Sequence, residues 1–138
     1  MKKIVILFLL LFITGCSSTI KCSYNKKIDD LYISTLENKY KFKNGEVYKV
    51  IIKQTINYDS SYISNYNINL NDSKNMYKEM FDKYYSDVKG FKYKISLVNN
   101  KLTLKIYCKD NCLKLYAKAT TKEDILKEYK LKKDYICK

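Results

Sequence analysis

The chain has 138 residues and a formal net charge of +13, from 27 lysines against 14 acids, with no arginine and no histidine. The missing histidine excludes Ser-His-Asp and Cys-His catalytic arrangements and a zinc site of mixed histidine and cysteine. Only three glycines are present (Gly15, Gly45, Gly90), so there is no glycine-rich phosphate loop, and the length suits a single domain with one modest core.

The N-terminus opens with Lys2 and Lys3 and an unbroken apolar run from Ile4 to Ile13, then the small pair Thr14-Gly15 directly before Cys16. A basic start, a short apolar run and small residues before the cut are the parts of an export signal. Ile13-Thr14-Gly15-Cys16 resembles a bacterial lipobox. That resemblance implies a diacylglycerol on the Cys16 thiol, removal of residues 1–15 as the signal peptide, and an anchor on the extracytoplasmic face of the cell membrane. The apolar run is too short for a membrane span of roughly 20 residues, and an ordinary cleaved signal needs no cysteine at that place. Removing Lys2 and Lys3 leaves 25 lysines against 14 acids, a net of +11.

An exported basic protein rarely meets nucleic acid, and specific readers of DNA use arginine for bidentate contacts to guanine. The expected acidic partners are anionic lipid head groups beside the anchor or anionic wall polymers. AT-rich coding also enriches lysine, asparagine, isoleucine and tyrosine, so an electrostatic role requires the lysines to gather on one face.

Residues 16–30 are polar and read as a lipidated tether. From Leu31 an alternating pattern begins. Leu36, Tyr40 and Phe42 fall on one face of a strand, with Glu37, Lys39 and Lys41 on the other. Asn44-Gly45 is a strong hairpin signal because both positions tolerate positive φ. In the return strand Tyr48, Val50, Ile52 and Ile56 point one way and Lys49, Lys53 and Thr55 the other. Residues 57–71, rich in tyrosine, serine and asparagine, read as an extended segment. Asp72 or Ser73 offers an N-cap, and Tyr77, Met80, Phe81, Tyr84 and Val88 follow at helical spacing. With Gly90 as a left-handed cap, this predicts a helix over 74–89.

Two further strands alternate around a turn at Asn99-Asn100: Phe91, Tyr93, Ile95 and Leu97, then Leu102, Leu104, Ile106 and Cys108. Leu113 to Ala117 reads as a short strand or irregular segment. Thr121-x-x-Asp124 approximates a capping box before a short helix ending near Leu131, and Tyr135-Ile136-Cys137 reads as an extended, pinned tail. The expected fold class is α+β: one domain over residues 31–138, an antiparallel sheet of about four strands packed against one main helix, with a short C-terminal helix.

Once Cys16 is lipidated, four cysteines remain, an even set for an oxidising compartment. Three connectivities are possible. Cys22 with Cys137 is favoured because domain termini lie close together, and Cys108 with Cys112 because Lys-Asp-Asn between them forms a turn. A redox or metal-binding Cys-x-x-x-Cys is the alternative, but the spacing is not that of thioredoxin-like proteins and no βαβ pattern surrounds it.

The run from Asn38 to Thr55 resembles the first hairpin of the YehR-like lipoproteins, and the run from Tyr84 to Ile95 is similar to their helix end, Lys-Gly turn and next strand. The similarity covers about residues 35–108. It implies a small α+β lipoprotein domain and supplies no active-site residues.

Among candidate sites, Tyr58, Tyr62 and Tyr66 stand outside the strand periodicity and recur every four residues, a pattern that also fits one helical face. They are the candidate ligand contacts, since the tyrosine ring offers an apolar face with a hydrogen-bonding edge. Lys39, Lys41, Lys49, Lys53, Lys92, Lys94 and Lys105 lie on outward strand faces and form a candidate basic stripe, set against the plainer reading of a solvated face that discourages aggregation. Glu37 and Glu46 are conceivable as a carboxylate pair across the hairpin, but match no acid/base constellation. No catalytic residue, cofactor or metal is expected. The functional expectation is a non-enzymatic binding module on a lipid anchor; the alternative is an accessory subunit docking on a membrane transporter or a wall-assembly complex.

Overall fold

The computed structural model describes residues 18–28, 32–117 and 119–138. The expected signal peptide and the expected lipid-attachment residue Cys16 lie outside the described residues. The strands are β1 (Thr19–Ile28), β2 (Tyr32–Lys43), β3 (Glu46–Tyr58), β4 (Phe91–Val98), β5 (Lys101–Cys108) and β6 (Ile136–Cys137). The helices are α1 (Ser60–Asn65), α2 (Leu70–Tyr85), α3 (Leu113–Tyr116) and α4 (Lys122–Lys130). All six strands form one antiparallel sheet in the order β4-β5-β3-β2-β1-β6.

The β2–β3 hairpin turns at Asn44 (φ 53°) and Gly45 (φ 82°), two consecutive left-handed residues whose twist matches that of the strands. Phe42 pairs with Val47 and Lys41 with Lys49, so Tyr48 is the extra residue of a β-bulge. The bulge resets the alternation. Val47 joins Val50 on the inner face, and Tyr48, expected inside, is exposed. Beyond the bulge the alternation runs as expected, with Tyr40, Phe42, Val50 and Ile56 buried.

The polar segment expected to be a tether is instead strand β1. Ile20 and Cys22 enter the core while Lys21 and Ser23 face the other way; three apolar residues at alternate positions, including Tyr24, suffice because β2 supplies a full partner ladder. The sheet therefore has six strands rather than about four.

The helices pack on the inner face. The segment 57–71, expected extended, ends β3 and forms α1, with Asp59 as its N-cap accepting from Ser61 N at 2.8 Å. Helix α2 begins earlier than expected because the Asn69 side chain, not Asp72 or Ser73, accepts from Asn71 N at 3.0 Å. Its Phe81 is buried against Phe91 and Tyr93, with centroids at 5.8 and 4.9 Å, whereas Tyr84 is exposed. The helix ends at Tyr85, so Gly90 (φ 88°) is not its cap. It serves a close approach: a Cβ there would sit 2.0 Å from the Lys109 carbonyl oxygen. Leu113–Tyr116 is a single helical turn rather than a strand.

Helix α4 starts at Thr121, whose hydroxyl accepts from Asp124 N at 3.2 Å, and buries Ile125 and Tyr129. The Tyr129 hydroxyl lies 2.6 Å from Asn38 Nδ2, which donates to it, and 2.9 Å from the Tyr40 hydroxyl. Asn38 Oδ1 is buried without a partner among the described residues. Disulfides join Cys22 to Cys137 and Cys108 to Cys112, the pairing favoured from chain position, and the first fixes β6 as the outer partner of β1.

Candidate functional site: an open lysine face

Paired residues in an antiparallel sheet share a face, so the register sorts every strand residue. The inner face carries the core. On the other face, between the row Thr19, Lys41, Lys49 and the row Lys27, Ile33, Asn57, Lys101, Val98, stand Lys21, Lys27, Lys39, Lys41, Lys49, Lys53, Lys92, Lys94, Lys101 and Lys105. Among the described residues between those rows there is one carboxylate, Glu37, whose oxygen is 2.8 Å from Lys21 Nζ. All seven lysines of the expected stripe are there. Lys21 and Lys27 were hidden by the tether reading of β1; Lys101 sits at the first position of β5, beside a turn.

The rows have chemical character. Lys53 lies opposite Lys105, and Lys105 opposite Lys94, three like charges abreast across β3, β5 and β4; Glu37 flanks Lys53 on β2 but pairs with Lys21, and none of the three lysines forms an ion pair among the described residues. Beside them Thr35, Thr55, Thr103 and Ser96 form a row of hydroxyls. Nearer the β2–β3 turn, Tyr107 has Lys49 Nζ 5.6 Å and Lys105 Nζ 5.2 Å from its ring centroid, close enough for cation–π attraction. Lys49, Lys92, Lys109 and Tyr107 border a depression of about 330 Å³ that also touches Gly90 and Cys108. Thr55 is itself buried, so such a surface can hold anionic groups by charge and by hydrogen bonds from Thr35, Thr103 and Ser96.

No family model matches the chain, and no curated protein matches it. Among solved structures it is similar to an NMR structure of a protein from Streptococcus pneumoniae TIGR4, with a TM-score of 0.54 and 15% sequence identity, covering 91% of this chain and 87% of that chain. At that identity the similarity shows the fold alone.

The tyrosine candidates lie at the other end of the sheet and do come together. Tyr58 ends β3, and Tyr62 and Tyr66 share the following helical face. Tyr58 and Tyr62 are parallel within 5° at 6.4 Å, Tyr62 and Tyr66 are tilted at 5.0 Å, and Tyr32 joins Tyr58 at 5.8 Å. Sequence reasoning missed Tyr32, which faces Tyr58 only through the β2–β3 register. Burial first, then the neighbouring phenols of Tyr77, Tyr32 and Tyr62, raises the Tyr58 hydroxyl above the ordinary tyrosine range.

The other candidates do not assemble. Glu37 lies opposite Lys53 and Glu46 opposite Lys43, six residues apart along β2, or about 20 Å. Among the described residues no three histidine, cysteine, aspartate or glutamate side chains gather for a metal, and no helix is long and apolar enough to cross a membrane.

Proposed function

We propose that the protein is a lipid-anchored, non-enzymatic envelope protein, held by a diacylglycerol on Cys16, whose open lysine face seats the domain on the anionic outer surface of the membrane. The observation that carries this reading is the face itself: among the described residues between the row of Thr19 and the row of Lys27, ten lysines stand with one acid on the side of the sheet away from the helices. The short link to the anchor supports it. Cys16 precedes Thr19 by three residues, a reach of at most about 11 Å, and Lys41 and Lys49 are in the row of Thr19. A domain on so short a link stays beside the head groups, where each lysine close to the surface contributes about 1 kcal/mol.

Flotation of the unlipidated Cys16→Ser protein, without residues 1–15, with vesicles tests the face. Binding should rise with phosphatidylglycerol content, fall with added salt, and drop in a Lys53→Gln, Lys94→Gln, Lys105→Gln variant. Equal recovery on neutral phosphatidylcholine vesicles would sink the reading, and retention by a purified anionic wall polymer alone would move the partner there. Metabolic labelling with palmitate checks the anchor: label should appear on the wild type and vanish with Cys16→Ser.

A further inference from the structure

Of the two edges of the sheet, one is open along its whole length among the described residues. At β1 the edge is covered by β6 at Cys22 and Ser23, and the Cys22–Cys137 disulfide fixes that cover. At the other side β4 is the last strand. It pairs with β5 from Phe91 to Val98 without a bulge and contains no proline. Apart from its lysines, it lacks the devices that blunt a long edge.

The ladder shows which main-chain groups are left over. In an antiparallel pair, residues that bond to the partner alternate with residues whose N–H and C=O point away from it. The Lys109 N–H donates to the Gly90 carbonyl at 3.2 Å, which sets the phase. Lys92, Lys94 and Ser96 bond to β5, and Phe91, Tyr93, Ile95 and Leu97 turn their main-chain groups outward. The Phe91 N–H donates to the Val88 carbonyl at 3.1 Å. The N–H and C=O groups of Tyr93, Ile95 and Leu97 have no partner among the described residues.

Side chains on both sides of this edge suit an added strand. On the lysine face the row Lys53, Lys105, Lys94 ends at the edge, with Lys92 beside Lys94. Neither Lys92 nor Lys94 forms an ion pair among the described residues. On the side of α2 a depression of about 300 Å³ is bordered by Phe81, Asp82 and Tyr85 of α2 and by Phe91, Lys92 and Tyr93 of β4. It touches three consecutive residues of β4 whose side chains leave on alternate faces, so it lies beside the strand, along the open edge. Its lining is aromatic, with Tyr85 stacked on Phe91 at 4.7 Å and Phe81 against Tyr93 at 4.9 Å. Asp82 is engaged by Lys78 at 2.6 Å and by the Tyr93 hydroxyl.

A strand laid against β4 places successive side chains on alternate faces. The residue opposite Tyr93 enters the aromatic depression, and its two neighbours stand beside Lys92 and Lys94. Opposite charges across strands stabilise and like charges destabilise. A second copy of β4 would bring lysine against lysine, whereas carboxylates would complete the row.

We propose that the β4 edge is a strand-addition site for an extended segment of another protein that carries the triplet carboxylate, apolar, carboxylate. The acids stand beside Lys92 and Lys94 and the apolar side chain fills the depression. Main-chain bonds supply affinity, and the alternating side chains supply specificity. The site is independent of the membrane reading, because its readout is main-chain amides that contact with vesicles leaves unpaired.

Solution NMR of the detergent-solubilised protein with the capped peptide Ser-Thr-Glu-Phe-Glu-Thr-Ser tests it. The peptide should bind saturably, and hydrogen exchange of the Tyr93 and Ile95 amides, fast in the free protein, should slow as it binds. N-methylation of the three central peptide residues keeps the charges and the ring but removes main-chain donors. It should weaken binding at least about tenfold, the size of one net main-chain hydrogen bond. A Lys92→Glu, Lys94→Glu protein, changed only at exposed positions, should lose this peptide and bind instead one with Lys-Phe-Lys at its centre. Unchanged exchange at Tyr93 and Ile95 with the peptide present, or equal affinity for the N-methylated peptide, would overturn the proposal, since simple attraction to lysines predicts both. Slow exchange at both amides in the peptide-free protein would assign the edge to a second copy and overturn it as well.

Discussion

Lys53 on β3 stands directly opposite Lys105 on β5, and Lys105 in turn opposite Lys94 on β4. Like charges directly opposed across strands destabilise a sheet, by about 0.2–1 kcal/mol on the scale of cross-strand pairs. The fold alone gains nothing from this row. Lys105→Thr should therefore raise stability by a few tenths to about 1 kcal/mol in urea unfolding at low salt, while reducing recovery on anionic vesicles. The same repulsion predicts that inorganic phosphate raises the thermal midpoint of the wild type more than that of Lys105→Thr. Equal midpoints for the two proteins across phosphate concentrations would contradict it.

The two disulfides should differ in weight. Cys22–Cys137 spans a separation of 115 residues and Cys108–Cys112 one of 4. In the chain-entropy model the long loop contributes about 5 kcal/mol and the short one about 2 kcal/mol. Replacing Cys22 and Cys137 by alanine should thus lower the urea midpoint far more than replacing Cys108 and Cys112. Comparable losses would show that strain or local packing, not loop closure, sets their value.

What could be read from the chain follows how local each signal is. Asn44-Gly45, the alternation of Phe91 to Leu97 and the Thr121 cap are local, and the structure carries each of them. Strand β1 carries a local signal too, Ile20, Cys22 and Tyr24 alternating with Lys21, Ser23 and Asn25, but the polar composition of residues 16–30 as a whole hides it. The inward reading of Tyr48 failed because a bulge depends on the partner strand. Seven of the lysines were assignable to outward faces; that they and three others form one surface follows from strand order β4-β5-β3-β2-β1, which no local pattern encodes.

Gly90 tests the close approach of β4 and the segment after β5. Its φ of 88° disfavours any side chain, and a Cβ would meet the Lys109 carbonyl oxygen at 2.0 Å. Gly90→Ala should cost more than about 2 kcal/mol, since the left-handed penalty alone is about 1–2 kcal/mol. Gly45 is the control: at φ 82° its Cβ would meet nothing within 4 Å. Gly45→Ala should show the conformational penalty alone, and urea unfolding of the two variants would separate the steric part. Equal losses would mean that Lys109 moves aside freely.

Alkaline stability follows from buried phenols. Burial first, and then the neighbouring Tyr85, pushes the Tyr116 hydroxyl up to about 12; burial first, and then Tyr129, raises Tyr40 as well. An unfolded tyrosine loses its proton near pH 10. Below that both states are neutral and the full stability is present. Between about 10 and 12 the unfolded chain releases a proton that the folded Tyr116 still holds, so the folded state is progressively disfavoured as pH rises. Loss of lysine charge in strong alkali acts the other way, so the useful quantity is the difference between wild type and Tyr116→Phe. The free energy of unfolding of the wild type, followed in urea from pH 8 upward, should fall more steeply above about pH 10 than that of the variant. Parallel curves would place Tyr116 in an environment no different from water.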